Sequence, residues 1–319
     1  MWVRSGRWVA GVAVGVGLLG IYLHYTQFTG DLITSAVAFA PMLMAVALIG
    51  LLLALIVRAW WVVGIGAVVV LVGLLTQAPL YFSATSGPGE FTVMQLNLDQ
   101  GRADLGELAD TVAREEVDVL TVTEVTPAAW GRLEASPIAA ALPYSVAYPA
   151  VAGNGGAVLS RYPISDQRRL DGFWLPNLRV VVEVPGRRPI AVYGIHVMPP
   201  YPDTADQWRR ELEELSTVLS AETGPVIAAG DFNATYDHRQ YRQLMVTSEG
   251  RPAMTDAAEG TGAGMVRTYP ADKWFPPLLA IDHVLSRGGP EPVYFASFEV
   301  PGTDHYGVIA RFRGLPTRR

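Results

Sequence analysis

Three stretches without a single Asp, Glu, Lys or Arg, residues 8–26, 33–57 and 60–82, constrain this chain more than any other feature of its sequence. Each is long enough to cross a hydrocarbon core of roughly 30 Å at about 1.5 Å per helical residue. A cleaved leader followed by ordinary core helices would account for one such stretch. Three in succession, with Trp60, Trp61, Tyr81 and Phe82 near the ends as interfacial aromatics, predict a membrane anchor of three transmembrane helices over residues 1–82. Arg4 and Arg7 precede the first stretch and Arg58 separates the second from the third, whereas the connection 24–32 carries Asp31 and no basic residue. Basic flanks stay on the cytoplasmic side. The N-terminus is therefore expected in the cytoplasm, and residues 83–319 are expected outside the cell membrane.

Beyond the anchor, the charge balance bears on what the chain binds. Setting aside Arg4, Arg7, Arg58 and Asp31 leaves 21 basic against 29 acidic residues, a formal charge of −8. Nucleic-acid binders carry a basic footprint, so such a partner is not expected. There is no cysteine, which suits an oxidising exterior where an unpaired thiol is a liability. No protein partner can be inferred from these features.

Residues 83–90 are rich in Ser, Gly and Pro and read as a short flexible linker. The remainder, 91–319, has the length of one large domain. Strand-like runs recur at 91–98, 117–123, 156–160, 178–184, 190–197, 225–229, 281–285 and 307–312. Two amphipathic helices lie between them. Residues 104–116 place Leu105, Leu108 and Val112 on one face behind Asp104 as N-cap, and 203–221 do the same with Trp208, Leu212, Leu215 and Leu219. Strands outnumber helices, which predicts an α/β domain of packed sheets with helices outside.

The chemistry-bearing residues gather where strands stop. Asn97 and Asp99 close the first run, Glu124 the second, and His196 the fifth. Asp231 and Asn233 follow Pro225–Gly230, Asp282 and His283 open a late run, and Asp304 and His305 precede the last. Any one of these is ordinarily a cap or a turn residue. Their repetition at strand ends points to one site. Side chains two apart on an extended segment share a side, so Asp231 and Asn233 are expected to converge as a base and a hydrogen-bond donor. Oxygen donors without cysteine suit a hard cation such as Mg²⁺ or Mn²⁺. His24 and His283 read as ordinary half-buried polar residues.

The segments MQLNLD (94–99), VLTVTEV (119–125), GNGGAVLSRYPI (153–164), YGIHVMP (193–199), AAGDFNAT (228–235), AIDHVL (280–285) and GTDHYGVIARF (302–312) occur in an order that resembles the endonuclease/exonuclease/phosphatase superfamily. The resemblance implies a four-layer α/β sandwich, the fold of DNase I-like nucleases, and a metal-dependent phosphoric ester or anhydride hydrolase. It assigns Asn97, Glu124 and Asp304 to the metal, with Glu124 the direct ligand, and makes Asp231 the base for an attacking water. Asn233 then holds a phosphoryl oxygen, His305 paired to Asp282 stabilises phosphate charge, and His196 hydrogen-bonds the pentavalent state or the leaving oxygen. Thr123 stands where that superfamily usually has Gln, which leaves the surroundings of the metal ligand open.

The substrate is read from context. A domain anchored by three helices, acidic overall, carries aromatic-rich segments at 173–176, 198–201 and 274–279. Trp274 and Phe275 are expected either to enter the lipid interface or to pack in a buried loop, and Arg267 and Lys273 to meet an anionic headgroup. Three N-terminal helices before such a domain resemble the VanJ-type membrane proteins associated with teicoplanin-class glycopeptide antibiotic resistance. That resemblance implies hydrolysis of undecaprenyl pyrophosphate, a lipid-linked phosphate of the outer leaflet. The alternatives are an anchored extracellular nuclease or nucleotide phosphatase, a sphingomyelinase-like phosphodiesterase, and a catalytically inert binding or sensor module.

Overall fold

The computed structural model of the protein describes residues 2–82, 85–246 and 253–318. Ser83 and Ala84 of the predicted linker lie outside them. The N-terminal part is helical: α1 (Trp2–Tyr25), α2 (Asp31–Ala38), α3 (Ala40–Ile56) and α4 (Trp60–Gln77). Among the described residues, Arg4–Tyr25 and Trp60–Leu80 are long and apolar enough to cross a membrane, and α2 with α3 makes a third span only if the pair is taken as one. The second predicted span is thus not a single helix. It turns by 60° at Phe39. Pro41, in the first turn of α3, lacks the N–H that would continue the hydrogen-bond ladder to Val37, and its ring crowds that carbonyl. Against α1, α3 packs through small residues: a Cβ on Gly17 would lie 2.3 Å from the Ala47 Cβ, the close backbone approach usual between apolar helices.

The strands, in chain order, are β1 (Phe91–Asn97), β2 (Val119–Thr123), β3 (Tyr144–Tyr148), β4 (Gly156–Ser160), β5 (Ile164–Arg169), β6 (Leu178–Val182), β7 (Ile190–His196), β8 (Val226–Asp231), β9 (Thr255–Asp256), β10 (Asp282–Arg287), β11 (Glu291–Phe298) and β12 (Gly307–Arg313). They form two six-stranded sheets, ordered β11-β12-β1-β2-β4-β3 and β5-β6-β7-β8-β10-β9. Only β1 with β2 and β7 with β8 run parallel among the paired strands. Each pair is joined by an amphipathic helix, α5 (Leu105–Arg114) or, after two further short helices α6 (Pro127–Glu134) and α7 (Pro137–Ala141), α8 (Ala205–Ala221). Two last short helices, α9 (Arg239–Gln243) and α10 (Ala257–Thr261), complete the set.

The apolar residues sort into layers accordingly. Phe91, Val93, Val119, Val158, Val180, Val192, Ile227 and Val308 fill the space between the sheets. Leu105, Leu108 and Val112 of α5 pack on the outer face of the first sheet against Met94, Leu96 and Leu120. Trp208, Leu212, Leu215 and Leu219 of α8 cover the second against Tyr193, Ile195 and Ala228. This is the predicted four-layer α/β sandwich. Asp104 caps α5 as expected, accepting from Gly106 N at 2.8 Å. All eight predicted strands are present. The four that the pattern missed, β3, β5, β9 and β11, are the four sheet edges. An edge strand is half solvated and carries no continuous apolar run, as ISDQRR of β5 illustrates.

The anchor and the sandwich interlock. Asp237, buried after β8, receives His24 Nδ1 at 2.7 Å and Gln77 Nε2 at 2.9 Å, so one carboxylate joins the ends of α1 and α4. Arg242 donates to His24 O and Gly264 N to Leu80 O. Leu80 is part of the inter-sheet core. Asp31, the first residue of α2, accepts from Asp203 N at 2.7 Å and Ala205 N at 3.2 Å, capping α8 from the anchor. The linker is therefore not the only join between the two parts. Its last residue, Glu90, already extends the sheet through Glu90 N to Phe312 O and holds Leu315 N and Arg187 through its carboxylate.

Candidate active site

Because β1, β2, β7 and β8 all end at one rim of the sandwich, and β10 and β12 begin there, residues far apart in sequence meet. Strand register puts His196 beside Asp231 and Asp231 beside Asp282 in the second sheet. Asn97 stands beside Thr123 in the first, one residue before Glu124. Between these rims lies a cleft of about 540 Å³ lined by Asn97, Glu124, His196, Asp231, Asn233, Asp304 and His305. All the residues assigned to metal or catalysis come together, with Asp282 directly behind His305.

The backbone makes unusual turns here. Glu124 has φ +58°, Asn233 φ +48°, Asp99 φ +46° and Gln100 φ +54°. Left-handed conformations are costly for residues other than glycine and cluster at functional sites. Gly230 is required for close approach, since a Cβ there would sit 1.9 Å from Ile195 O. Asp231 and Asn233 do converge on the cleft, but not by strand alternation. The strand ends at Asp231, and Asn233 is turned back so that its N–H donates to Asp231 Oδ1 at 2.9 Å, an Asp-centred turn. Its side-chain amide donates to Val197 O at 2.9 Å, leaving one amide N–H free for a ligand.

Asn97 bridges the two sheets' carboxylates. Its amide nitrogen lies 3.2 Å from both Glu124 Oε1 and Asp231 Oδ2, and its carbonyl accepts from Asp99 N at 2.9 Å. Glu124 Oε2 accepts from Gln100 N at 2.9 Å. Burial pushes the Asp231 carboxyl well above the usual carboxylate range, the Asp282 charge adds to this, and His305 opposes it. Burial also raises Glu124 and Asp304. Thr123 makes no contact with Glu124 among the hydrogen bonds here. Its hydroxyl is buried without a partner, so Asn97 and Gln100 are the groups that hold the Glu124 carboxylate.

His305 Nδ1 is 2.9 Å from Asp282 Oδ2, and its Nε2 faces Asp231 Oδ2 at 3.9 Å and Asp304 Oδ1 at 4.0 Å. Burial disfavours its charge, yet the Asp282 carboxylate overcomes that and holds the imidazole's pKa up at about 10. The environment of His305 thus favours the protonated imidazole, with Nε2 aimed into the cleft. His196 is the opposite. Burial, with the His305 charge, pulls its pKa down to about 3, so it is neutral with Nε2 at 3.9 Å from Asp231. Asn177 holds its backbone, donating to His196 O and accepting from His196 N at 2.9 and 3.0 Å.

The donor set fits a hard divalent cation. Glu124 and Asp304 present oxygen alone, and the Asn97 carbonyl, which accepts from Asp99 N, lies beside them. Burial is the largest influence on both carboxyls, offset only in part by the His305 charge. Asp231, Asp282 and His305 also lie within 4.8 Å of one another. In this second group His305 Nδ1 is already engaged by Asp282 at 2.9 Å, and a ring nitrogen suits a hard cation less well than the all-oxygen Glu124 end.

The four residues expected to touch substrate lie elsewhere. Arg267 and Lys273 are exposed, Lys273 pairing with Asp272 at 2.7 Å, and Trp274 is 95% exposed with Phe275 against its ring. None of them lines the cleft. Tyr269 does, its ring 4.9 Å from that of His305. Sequence reasoning missed Tyr269, Gln100 and Asn177. Asn177 was open to the strand-end argument, since it immediately precedes β6. It missed above all a wall from the anchor: Thr34, Ser35, Ala38 and Phe39 of α2 and its C-terminal cap line the same cleft.

Residues 94–305 match the family model described as Endonuclease/Exonuclease/phosphatase family. No curated protein matches the chain. Solved structures similar to it include a D. rerio TDP2 humanized by 14 mutations, with TM-score 0.58 and 16% identity over 70% of this chain and 98% of that one. An endonuclease/exonuclease/phosphatase from Bacteroides vulgatus has TM-score 0.56 and 16% identity, covering 70% and 98%. One from Beutenbergia cavernae has TM-score 0.54 and 19% identity, covering 71% and 72%. At such identities the likeness is one of fold.

Proposed function

The chain belongs to the endonuclease/exonuclease/phosphatase family, metal-dependent phosphoesterases and nucleases, and we propose that it hydrolyses a lipid-linked pyrophosphate, of the undecaprenyl class, at the outer face of the cell membrane. One observation carries this reading: the catalytic cleft is fastened to the anchor by His24, Gln77 and Asp31, so the site is held beside the apolar helices and not on a free tether. The sidedness follows from Arg4, Arg7 and Arg58 on the opposite flanks. Removal of the terminal phosphate would recycle the lipid carrier, which is the route by which such an enzyme would bear on glycopeptide antibiotic resistance.

In this reading Asp231 Oδ2 accepts the proton of the attacking water. The Asn97 amide and the His305 charge favour its ionised form and so oppose, without cancelling, the effect of burial, which leaves a carboxylate of raised basicity. His305 Nε2 hydrogen-bonds a non-bridging phosphoryl oxygen as negative charge gathers there, and the free Asn233 N–H holds another. Neutral His196 donates toward the leaving phosphate. Mg²⁺ (or Mn²⁺), which Glu124, Asn97 and Asp304 would hold, supplies charge neutralisation on the phosphoryl group. Water adds to the terminal phosphorus, the anhydride bond breaks, and the lipid monophosphate and inorganic phosphate leave.

A D. rerio TDP2 of this fold is described as complexed with a single-strand DNA product, and an anchored nuclease is the second reading. The formal charge of −8 beyond the anchor weighs against it. Phosphate release from undecaprenyl pyrophosphate, set beside DNA cleavage, by the detergent-solubilised full chain with and without Mg²⁺ separates the two. Magnesium-dependent phosphate release with no DNA cleavage is the expected result. Cleavage of DNA alone would reverse the assignment.

A further inference from the structure

The anchor does more than hold the cleft in place. Helix α2 is bent by 60° from α3 at Phe39, and its residues form part of the cleft wall. Thr34 and Ala38, and Ser35 and Phe39, are four residues apart, so they share one helical face, and that face looks into the cleft. Met198, Pro199, Pro200 and Tyr201, the last exposed, line the same cleft. The cleft therefore combines the carboxylates and His305 with an apolar lining of Ala38, Phe39, Met198, Pro199 and Pro200. Phe39, 37% exposed, sits where this lining meets the first turn of α3.

The wall is also rigid. Asp31 binds Asp203 N and Ala205 N, and Thr34 O contacts His238 Nε2 at 3.0 Å. His238 Nδ1 in turn accepts from Thr235 N at 2.9 Å, two residues beyond Asn233. Position and chemistry of α2 are thus tied to the catalytic loop.

We propose that α2 is the chain-recognition element of the site. With the phosphate at Asp231 and His305, the first units of an apolar chain run against Ala38, Phe39 and Pro199 to Tyr201, then pass along α3. This inference rests on the lipid-linked reading and deepens it: the substrate is an amphiphile selected by its chain next to the phosphate, through residues of the anchor.

The chain has no cysteine, so Ser35→Cys introduces one unique thiol in the full-length protein. Its alkylation by a maleimide in detergent should be slowed by farnesyl phosphate and not by inorganic phosphate. Equal protection by both, or by neither, would overturn the proposal. Independently, Ala38→Trp and Phe39→Ala should each lower the preference for farnesyl over isopentenyl pyrophosphate, measured as a ratio of kcat/KM, by about tenfold, the scale set by burying a few methylene groups. If the native protein shows no chain preference, the lipid-linked function itself fails. If it shows one that both variants keep, only the role of α2 fails.

Discussion

His305 reaches Asp282 with one ring nitrogen at 2.9 Å and looks across 3.9 Å at Asp231 with the other. The buried pair lets a cation sit beside a buried base. Its folded-state pKa of about 10 lies above the roughly 6.5 of a free histidine. The pair's contribution to stability is therefore fully present below pH ~6.5 and is lost as pH rises through about 10. In chelator-treated protein, the thermal midpoint of the native chain should fall between pH 8 and pH 10 more steeply than that of Asp282→Asn, in which the main cause of the raised pKa is gone. Parallel profiles would mean that His305 is not held charged by Asp282.

Glu124 is the carboxylate we propose at the metal, and Asn97 and Gln100 hold it by hydrogen bonds. Glu124→Gln keeps its shape and removes its charge. Turnover should collapse, and titration of the purified variant with Mn²⁺ should show weakened binding. Full activity that EDTA still abolishes would place the ion elsewhere, with the Asp231, Asp282 and His305 group as the next candidate.

Asp231→Asn removes the proton acceptor while leaving the turn at Asn233 sterically intact. Loss of a positioned base costs about 10²–10⁴ in rate. The thermal midpoint should not fall, because the folded state already disfavours the charge on this carboxyl. A variant that turns over normally would remove Asp231 from the mechanism.

Trp274 is almost wholly exposed and outside the cleft, so any role must be at a surface. Trp274→Ala with Phe275→Ala should weaken binding of the full chain's substrate when presented in lipid vesicles and leave a detergent-dispersed short pyrophosphate unaffected. Partial interfacial burial of two aromatics contributes about 1–3 kcal/mol, roughly tenfold or more in apparent affinity. Equal effects on both presentations would assign the loop a structural part instead.

What the amino-acid sequence determined by itself is local or repeated: the apolar segments, the central strands, the caps and the polar residues at strand ends. Glu124, Asp231, Asn233, Asp282 and His305 were legible because a buried strand is a continuous apolar run, and a polar residue at its end stands out against it. The edge strands were not, since solvent on one side dilutes the pattern, as in the exposed residues of β5. Three things were decided only by tertiary structure. The bend at Phe39 needed Pro41 and the catalytic domain together, because Asp31 and Thr34 find their partners more than 170 residues away, at Asp203 and His238. The opposite charge states of His196 and His305 depend on which neighbours burial brings to each, and no spacing records that. The anchor's place in the wall of the cleft follows from the same cause: hydropathy reports that a segment avoids water, and only packing shows what it faces.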